Sequence, residues 1–191
     1  MFLMQRVIVI GCSGSGKSTL ARIIGEKTGL PVYHLDMLYW QSGWRPHPDE
    51  GAFQSTVRQI AAKESWIIDG GFTTGSGEMR FSRADTVVLF DLPRWKCLWR
   101  VFKRLLTYKG ETRPDLAPGC AERFDLEFYR YIWKYRKNQF PRILRYVSAH
   151  FKGRLVRIES ETARAEFVRS IEELKGRNLG KIERRRMVGL T

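Results

Sequence analysis

Residues 6–19 read Arg6-Val7-Ile8-Val9-Ile10-Gly11-Cys12-Ser13-Gly14-Ser15-Gly16-Lys17-Ser18-Thr19. Val7 to Ile10 is a continuous β-branched run, the pattern of a parallel strand buried on both faces. Gly11, Gly16, Lys17 and Ser18 then fit the spacing G-x-x-x-x-G-K-[ST]. Glycines at that spacing let the backbone curl so that successive N–H groups point inward at a phosphate, at the start of a helix. Ser18 to Lys27 supplies the helix, with Leu20, Ile23 and Ile24 on one face. The expected phosphate cradle is Gly11, Ser13, Gly14, Ser15, Gly16, Lys17, Ser18 and Thr19. In it Lys17 reaches the β- and γ-phosphates of a nucleoside triphosphate and the Ser18 hydroxyl ligates Mg²⁺.

The rest of the chain builds outward from this loop. Its 191 residues suffice for one well-buried α/β domain. Hydrophobic residues make up 43% and charged residues 28%, a globular balance, and no apolar stretch approaches a membrane span. No signal peptide is read, because the first residues lead directly into a core strand. Cys12, Cys97 and Cys120 are scattered and odd in number, which suggests neither a disulfide framework nor a zinc site and fits a reducing cytoplasm. The net charge of +14 points to polyanionic partners, and nucleotides, nucleic acid and anionic membrane surfaces all qualify on charge, although no membrane partner is expected.

Further strands are expected at 31–36, ending in Asp36, at Trp66-Ile67-Ile68-Asp69, at Thr86 to Phe90 followed by Asp91, and at Gly153 to Ile158. Helices are expected from Pro48-Asp49-Glu50 to about Lys63, after Pro93, from Glu122 to about Lys137, after a break at Pro141, and from an N-cap at Ser160 through Leu174. Residues 37–46 are too aromatic and glycine-broken for a regular element and read as a loop packed over something. The alternation of strand and helix argues for a doubly wound five-stranded parallel sheet. Ligands of such sheets sit beyond the carboxyl ends of the strands. Asp36, Asp69 and the phosphate loop therefore converge on one edge, with Gly70, Gly71, Arg80 and Arg83 available to an anionic substrate. Arg100 and Arg104, four residues apart, share a helix face. Residues 107–121 read as a lid-like loop carrying Arg113 and ending near Arg123. The domain is expected over 1–174. Residues 175–191 hold six basic residues against one acidic residue, and read as a tail with nucleic acid as a candidate partner.

The motifs carry a resemblance. The phosphate loop, Ile68-Asp69-Gly70, Asp91-Leu92-Pro93 and the Arg100/Arg104 pair resemble the small P-loop kinases of the adenylate-kinase-like group. Leu35-Asp36 with Trp40 and Gly43-Trp44, Trp66 to Gly70, and Gly119-Cys120-Ala121-Glu122-Arg123 are similar to a narrower set termed topology modulation (FlaR-like) proteins. The likeness extends from Val7 to about Leu174. It implies a five-stranded sheet with a mobile lid, ATP and Mg²⁺ as cofactors, and phosphate transfer to a small acceptor. Lys17, Arg100, Arg104, Arg113 and Arg123 are then the cations around the moving group. Asp69 and Asp91 compete for the outer-shell Mg²⁺ role; the third strand lies beside the phosphate-loop strand in this group, which favours Asp69. Asp36 would hold or deprotonate an acceptor hydroxyl.

The adenylate type follows its Asp-Gly with Phe-Pro-Arg, whereas here Asp69-Gly70-Gly71-Phe72-Thr73 follows. The Asp-bearing second strand and the double glycine are instead similar to shikimate- and gluconate-type kinases, where a hydroxyl of a small molecule is phosphorylated. The acceptor, nucleotide or hydroxylated metabolite, stays open. A second reading also stays open: an ATP-binding regulatory protein that meets DNA or RNA through its basic surface.

Overall fold

The first apolar run becomes the middle of the sheet. The computed structural model describes residues 4–71, 75–108, 110–113 and 115–173. In it β1 (Arg6–Gly11) has Val7 to Ile10 fully enclosed and leads through the phosphate loop into α1 (Lys17–Thr28). There follow β2 (Val32–His34), α2 (Leu35–Tyr39), a hairpin of β3 (Trp40–Gln41) and β4 (Arg45–Pro46), α3 (Glu50–Ala62) and β5 (Trp66–Asp69). The chain goes on through α4 (Gly77–Arg83), β6 (Thr86–Phe90), α5 (Arg94–Thr107), α6 (Leu126–Asn138), α7 (Phe140–His150), β7 (Arg154–Ile158) and α8 over 161–173.

Five strands form one parallel sheet in the order β2-β5-β1-β6-β7. The chain steps one way from β1 to β2 and the other way at every later crossover. With right-handed connections, α1 therefore covers one face and α3, α4 and the α5–α7 excursion cover the other. After β7 the chain returns to the first face, where Glu172 of α8 pairs with Lys27 of α1. Two-sided cover explains why β5 and β6 are buried throughout, and read as unbroken apolar runs rather than alternating ones. At the sheet's edge β7 exposes Arg154, Leu155 and Arg157, and the charges protect its open side.

The helix boundaries follow local chemistry. Asp49 accepts a hydrogen bond from the Ala52 N–H at 2.9 Å to start α3, and Ser160 Oγ accepts from Ala163 at 3.0 Å to start α8. Gly29 ends α1 in a left-handed conformation, φ 78°, its N–H returning to the Gly25 carbonyl.

Several expectations are corrected. The second strand stops at His34, and Asp36 lies in the first turn of α2, where its side chain is aimed by helical rather than strand geometry. Residues 40–46 form a hairpin, with Trp44 held at φ 62°. The helix expected from Glu122 starts at Leu126, because Asp125 caps it by accepting from the N–H groups of Glu127 and Phe128. The expected break between two helices at Pro141 is found, with Pro141 in the first turn of α7, where its missing N–H costs nothing. Helix α4 carried too few apolar positions to be seen in the sequence. Phe72, Thr73, Leu174 and the basic stretch 175–191 lie outside the described residues.

Candidate active site

The loop between β1 and α1 is built to hold an anion. Gly14 and Gly16 take φ 78° and 96°, and α1 starts with no side-chain cap, so its first N–H groups face the cleft without an internal partner. Gly14 is pressed against α5: a Cβ built there would stand 2.4 Å from the Cys97 carbonyl oxygen and 2.9 Å from Val101 Cγ2. Gly14→Ala is accordingly expected to lower stability by about 1–3 kcal/mol, read by urea denaturation. Beneath the loop Cys12 is enclosed; its bond with the Cys97 thiol and burial both push its pKa up, so it is an inert thiol here.

From the loop, Ser13, Gly14, Gly16, Lys17, Ser18 and Thr19 line a cleft of about 600 Å³. Asp36 enters it from α2, and Arg100, Arg104, Arg113 and Arg123 enter from α5 and the segment after it. Ser15 contributes its backbone: its carbonyl accepts a 3.0 Å bond from Arg100, whose other amino group pairs with Glu161. Asp69 lies below this floor, and sheet register explains its neighbours. Val9, Asp69 and His34 occupy one row across β1, β5 and β2, so that His34 Nδ1 meets Asp69 Oδ2 at 2.7 Å.

Electrostatics separates the two carboxylates. Burial would raise the Asp69 pKa, but Lys17, the His34 bond and the Ser18 hydroxyl outweigh it and hold the carboxyl below its ordinary value. Asp36 goes the other way: burial, aided by the nearby charge of Asp69, pushes it above its ordinary value despite Lys17. Burial opposes the charge on Lys17, yet Asp69 and Asp36 together raise its pKa, so the ammonium is retained. Among the described residues Asp69 Oδ1 is buried and has no hydrogen-bond partner. An unsatisfied carboxylate oxygen beside the Ser18 hydroxyl is a hard-donor pair that suits Mg²⁺, which takes few protein ligands and completes its shell with phosphate and water. Asp91 does not share this position, being paired with Arg157 and, at 3.4 Å, with Arg136.

The arginines are organised by a residue whose role the sequence did not disclose. Glu122 is buried and its Oε1 takes both Arg104 Nε at 2.9 Å and Arg113 Nε at 2.6 Å, while Asp115 pairs with Arg113 at 3.0 Å. Burial first, and then Arg113, lower the Arg104 pKa. Glu122 thus holds two like charges side by side at the cleft. Glu122→Gln keeps the shape but removes the shared counter-charge. We expect a melting temperature lowered by the equivalent of about 2–3 kcal/mol and a turnover lowered about tenfold, measured by calorimetry and by steady-state kinetics. The segment after α5 is also clasped to the β3–β4 hairpin. Trp44 Nε1 donates to the Ala121 carbonyl at 2.8 Å, the Gly43 N–H to Gly119 at 2.9 Å, and Cys120 Sγ to Gln41 at 3.2 Å. That clasp is what the aromatic loop packs over.

Other expected residues fall elsewhere. Gly70 and Gly71 are not in the cleft lining. A Cβ at Gly70 would stand 2.8 Å from that of Leu35, so the glycine lets α2, and Asp36 with it, approach the sheet. Arg80 is fully buried, touches the Gly70 carbonyl at 3.5 Å, and burial pushes its pKa down to about 10. It is a core residue and is not open to a substrate. Arg83 binds the Ala61 and Ala62 carbonyls at the end of α3. His34, at the end of β2, orients Asp69.

No protein-family model matches the chain, and no curated protein matches it. Solved structures do match, and they show the fold. A shikimate kinase from Bacteroides thetaiotaomicron aligns over 91% of this chain and 99% of its own, at 17% identity and a TM-score of 0.52. A gluconokinase from Sinorhizobium meliloti 1021 aligns over 97% and 99%, at 15% identity and a TM-score of 0.52. A shikimate kinase from Acinetobacter baumannii in complex with shikimate aligns over 93% and 96%, at 15% identity and a TM-score of 0.51. The chain has the P-loop kinase fold. None of the three is a topology-modulation protein.

Proposed function

We propose that this protein is an ATP- and Mg²⁺-dependent kinase that phosphorylates a hydroxyl of a small acceptor. One observation carries the reading: Lys17 is held charged by two carboxylates whose surroundings move their pKa values in opposite directions, Asp69 down and Asp36 up. Separated acidities of this kind assign one group to charge and the other to proton transfer. The loop N–H groups and Lys17 hold the β- and γ-phosphates; Ser18 and Asp69 would hold Mg²⁺, which when bound neutralises phosphate charge. Arg100, fixed on the loop carbonyl of Ser15, and Arg104 and Arg113, fixed on Glu122, add positive charge where the transferring group becomes more anionic. Arg123 is exposed at the rim and joins them when the clasped segment closes. Asp36 accepts the proton of the acceptor hydroxyl as its oxygen bonds to phosphorus and ADP leaves.

The fold shared with proteins named shikimate kinase and gluconokinase, and the glycine pair after Asp69, support a hydroxylated metabolite over a nucleoside monophosphate. The test is a coupled ADP-release screen over nucleosides, nucleotides, hydroxylated metabolites and DNA. Acceptor-dependent ADP release that vanishes in a Lys17 variant is the expected result. A panel in which no acceptor stimulates release in the folded wild-type chain would overturn the reading.

A further inference from the structure

Helix α5 has two working faces, and the site uses only one. Cys97 and Val101 are buried, and Arg100, Arg104 and Tyr108 look into the cleft. On the opposite side Trp95, Trp99, Phe102 and Leu106 are exposed by 61%, 61%, 41% and 63%. Their spacing of four, three and four residues puts them in one row, about 16 Å long at the helical rise. The row presents roughly 400–500 Å² of surface, as much as the largest apolar patch of an ordinary monomer. Trp133 of α6 continues it, half exposed, with the Arg94 guanidinium 3.8 Å above its ring centroid. Lys96 Nζ stands 5.4 Å from the Trp95 ring. Helix α5 carries five basic residues and no acidic one. The acids that face it from other segments are already paired, Glu161 with Arg100 and Arg164 and Glu122 with Arg104 and Arg113.

We propose that this ridge docks the protein on an anionic phospholipid surface. Indole rings favour the headgroup level, where one edge meets apolar chains and the other meets water. Phe102 and Leu106 supply surface that enters the acyl boundary, and Arg94, Lys96 and Lys103 flank them with long side chains that reach anionic headgroups. A second copy of the chain fits less well, because a two-fold contact along α5 sets these cations against their own copies with no acid on the helix to pair them. A nucleic acid strand also fits less well. Trp99 and Phe102 are already stacked on each other, ring centroids 6.1 Å apart, and Leu106 has no π-face for a base. The ridge lies in the plane of the surface and crosses nothing: no helix among the described residues is long and apolar enough to span a membrane.

The proposal stands apart from the kinase reading and is tested on the full chain. Cosedimentation is measured with vesicles of phosphatidylcholine alone and of phosphatidylcholine with phosphatidylserine, together with tryptophan emission. We expect partition into the serine-containing vesicles only, with a blue-shifted emission. Trp99→Ser combined with Leu106→Ser should lower that partition about tenfold, and Lys96→Glu with Lys103→Glu should lower it as well. An unchanged thermal melt shows that each variant is folded. Absence of partition overturns the proposal. So does partition that the ridge variant leaves undiminished, which would place the contact on other basic residues such as 175–191. Sedimentation velocity showing a dimer that the ridge variant dissociates, or loss in that variant of binding to a single-stranded oligonucleotide without vesicle binding, would assign the ridge to another partner and overturn it too.

Discussion

Lys17→Met should lower acceptor-dependent ADP formation about 10³-fold or more, because phosphoryl transfer depends on positioning and charge neutralisation with little covalent help from the protein. The native ammonium keeps its proton against burial because the charges of Asp69 and Asp36 favour it. Its removal therefore does two things. The phosphates lose their central cation, and the two carboxylates lose the counter-charge that permits both to be ionised. Without Lys17 the repulsion between the two carboxylates is less offset, which favours protonation, so the variant should also bind Mg²⁺ more weakly at neutral pH and recover part of that binding as pH rises. Coupled kinetics, magnesium titration by calorimetry and a thermal melt to confirm folding measure these effects. A folded variant retaining more than about a tenth of wild-type turnover would contradict the role given to Lys17.

Asp36→Asn should lower kcat about 10²–10⁴-fold with ATP binding unchanged, the range for loss of a general base. The pH dependence supplies the sharper distinction. Burial and the neighbouring Asp69 charge raise the pKa of Asp36, and a base works only when deprotonated. Activity of the native protein should thus be complete on the alkaline side and fall as pH drops through a value above the ordinary carboxylate range near 4. The asparagine variant should lose this limb and keep a flat residual rate. If Asp36 only anchors the acceptor, the substitution raises KM, leaves kcat nearly unchanged, and the acid limb persists.

The parts of the site carried by short contiguous motifs were legible in the sequence. Gly11 to Thr19 declared a strand, a loop and a helix at once, because steric freedom at glycine, an anion nest and a helix start must occur together to bind phosphate. Apolar runs ending in Asp marked β5 and β6. The sequence left Asp69 and Asp91 as rivals, and the sheet places them differently. Register puts Asp69 in a row with His34, near Lys17, whereas Asp91 is occupied by Arg157 and Arg136. Arg80 shows the opposite failure: an arginine in a glycine-rich stretch reads as a surface cation, yet α4, too short to show a pattern, carries it into the core.

Glu122 was visible only as one letter of a motif. Its function depends on α5 bringing Arg104, and the later segment bringing Arg113, to the same oxygen, a meeting of three side chains that no spacing encodes. The same holds for the clasp through Trp44, Cys120 and Gly43, which joins residues 76–79 positions apart. By itself the sequence determined the strand, glycine loop and helix at the start of the chain, the parallel α/β class and the supply of cations, since each depends on backbone conformation, burial periodicity or composition. Only the tertiary structure decided which carboxylate has its pKa lowered and which has it raised, which arginines reach the cleft and which face of α5 is left to solvent. Those outcomes depend on burial and on distances between residues far apart in the chain, and both exist only once the sheet has set its strand order.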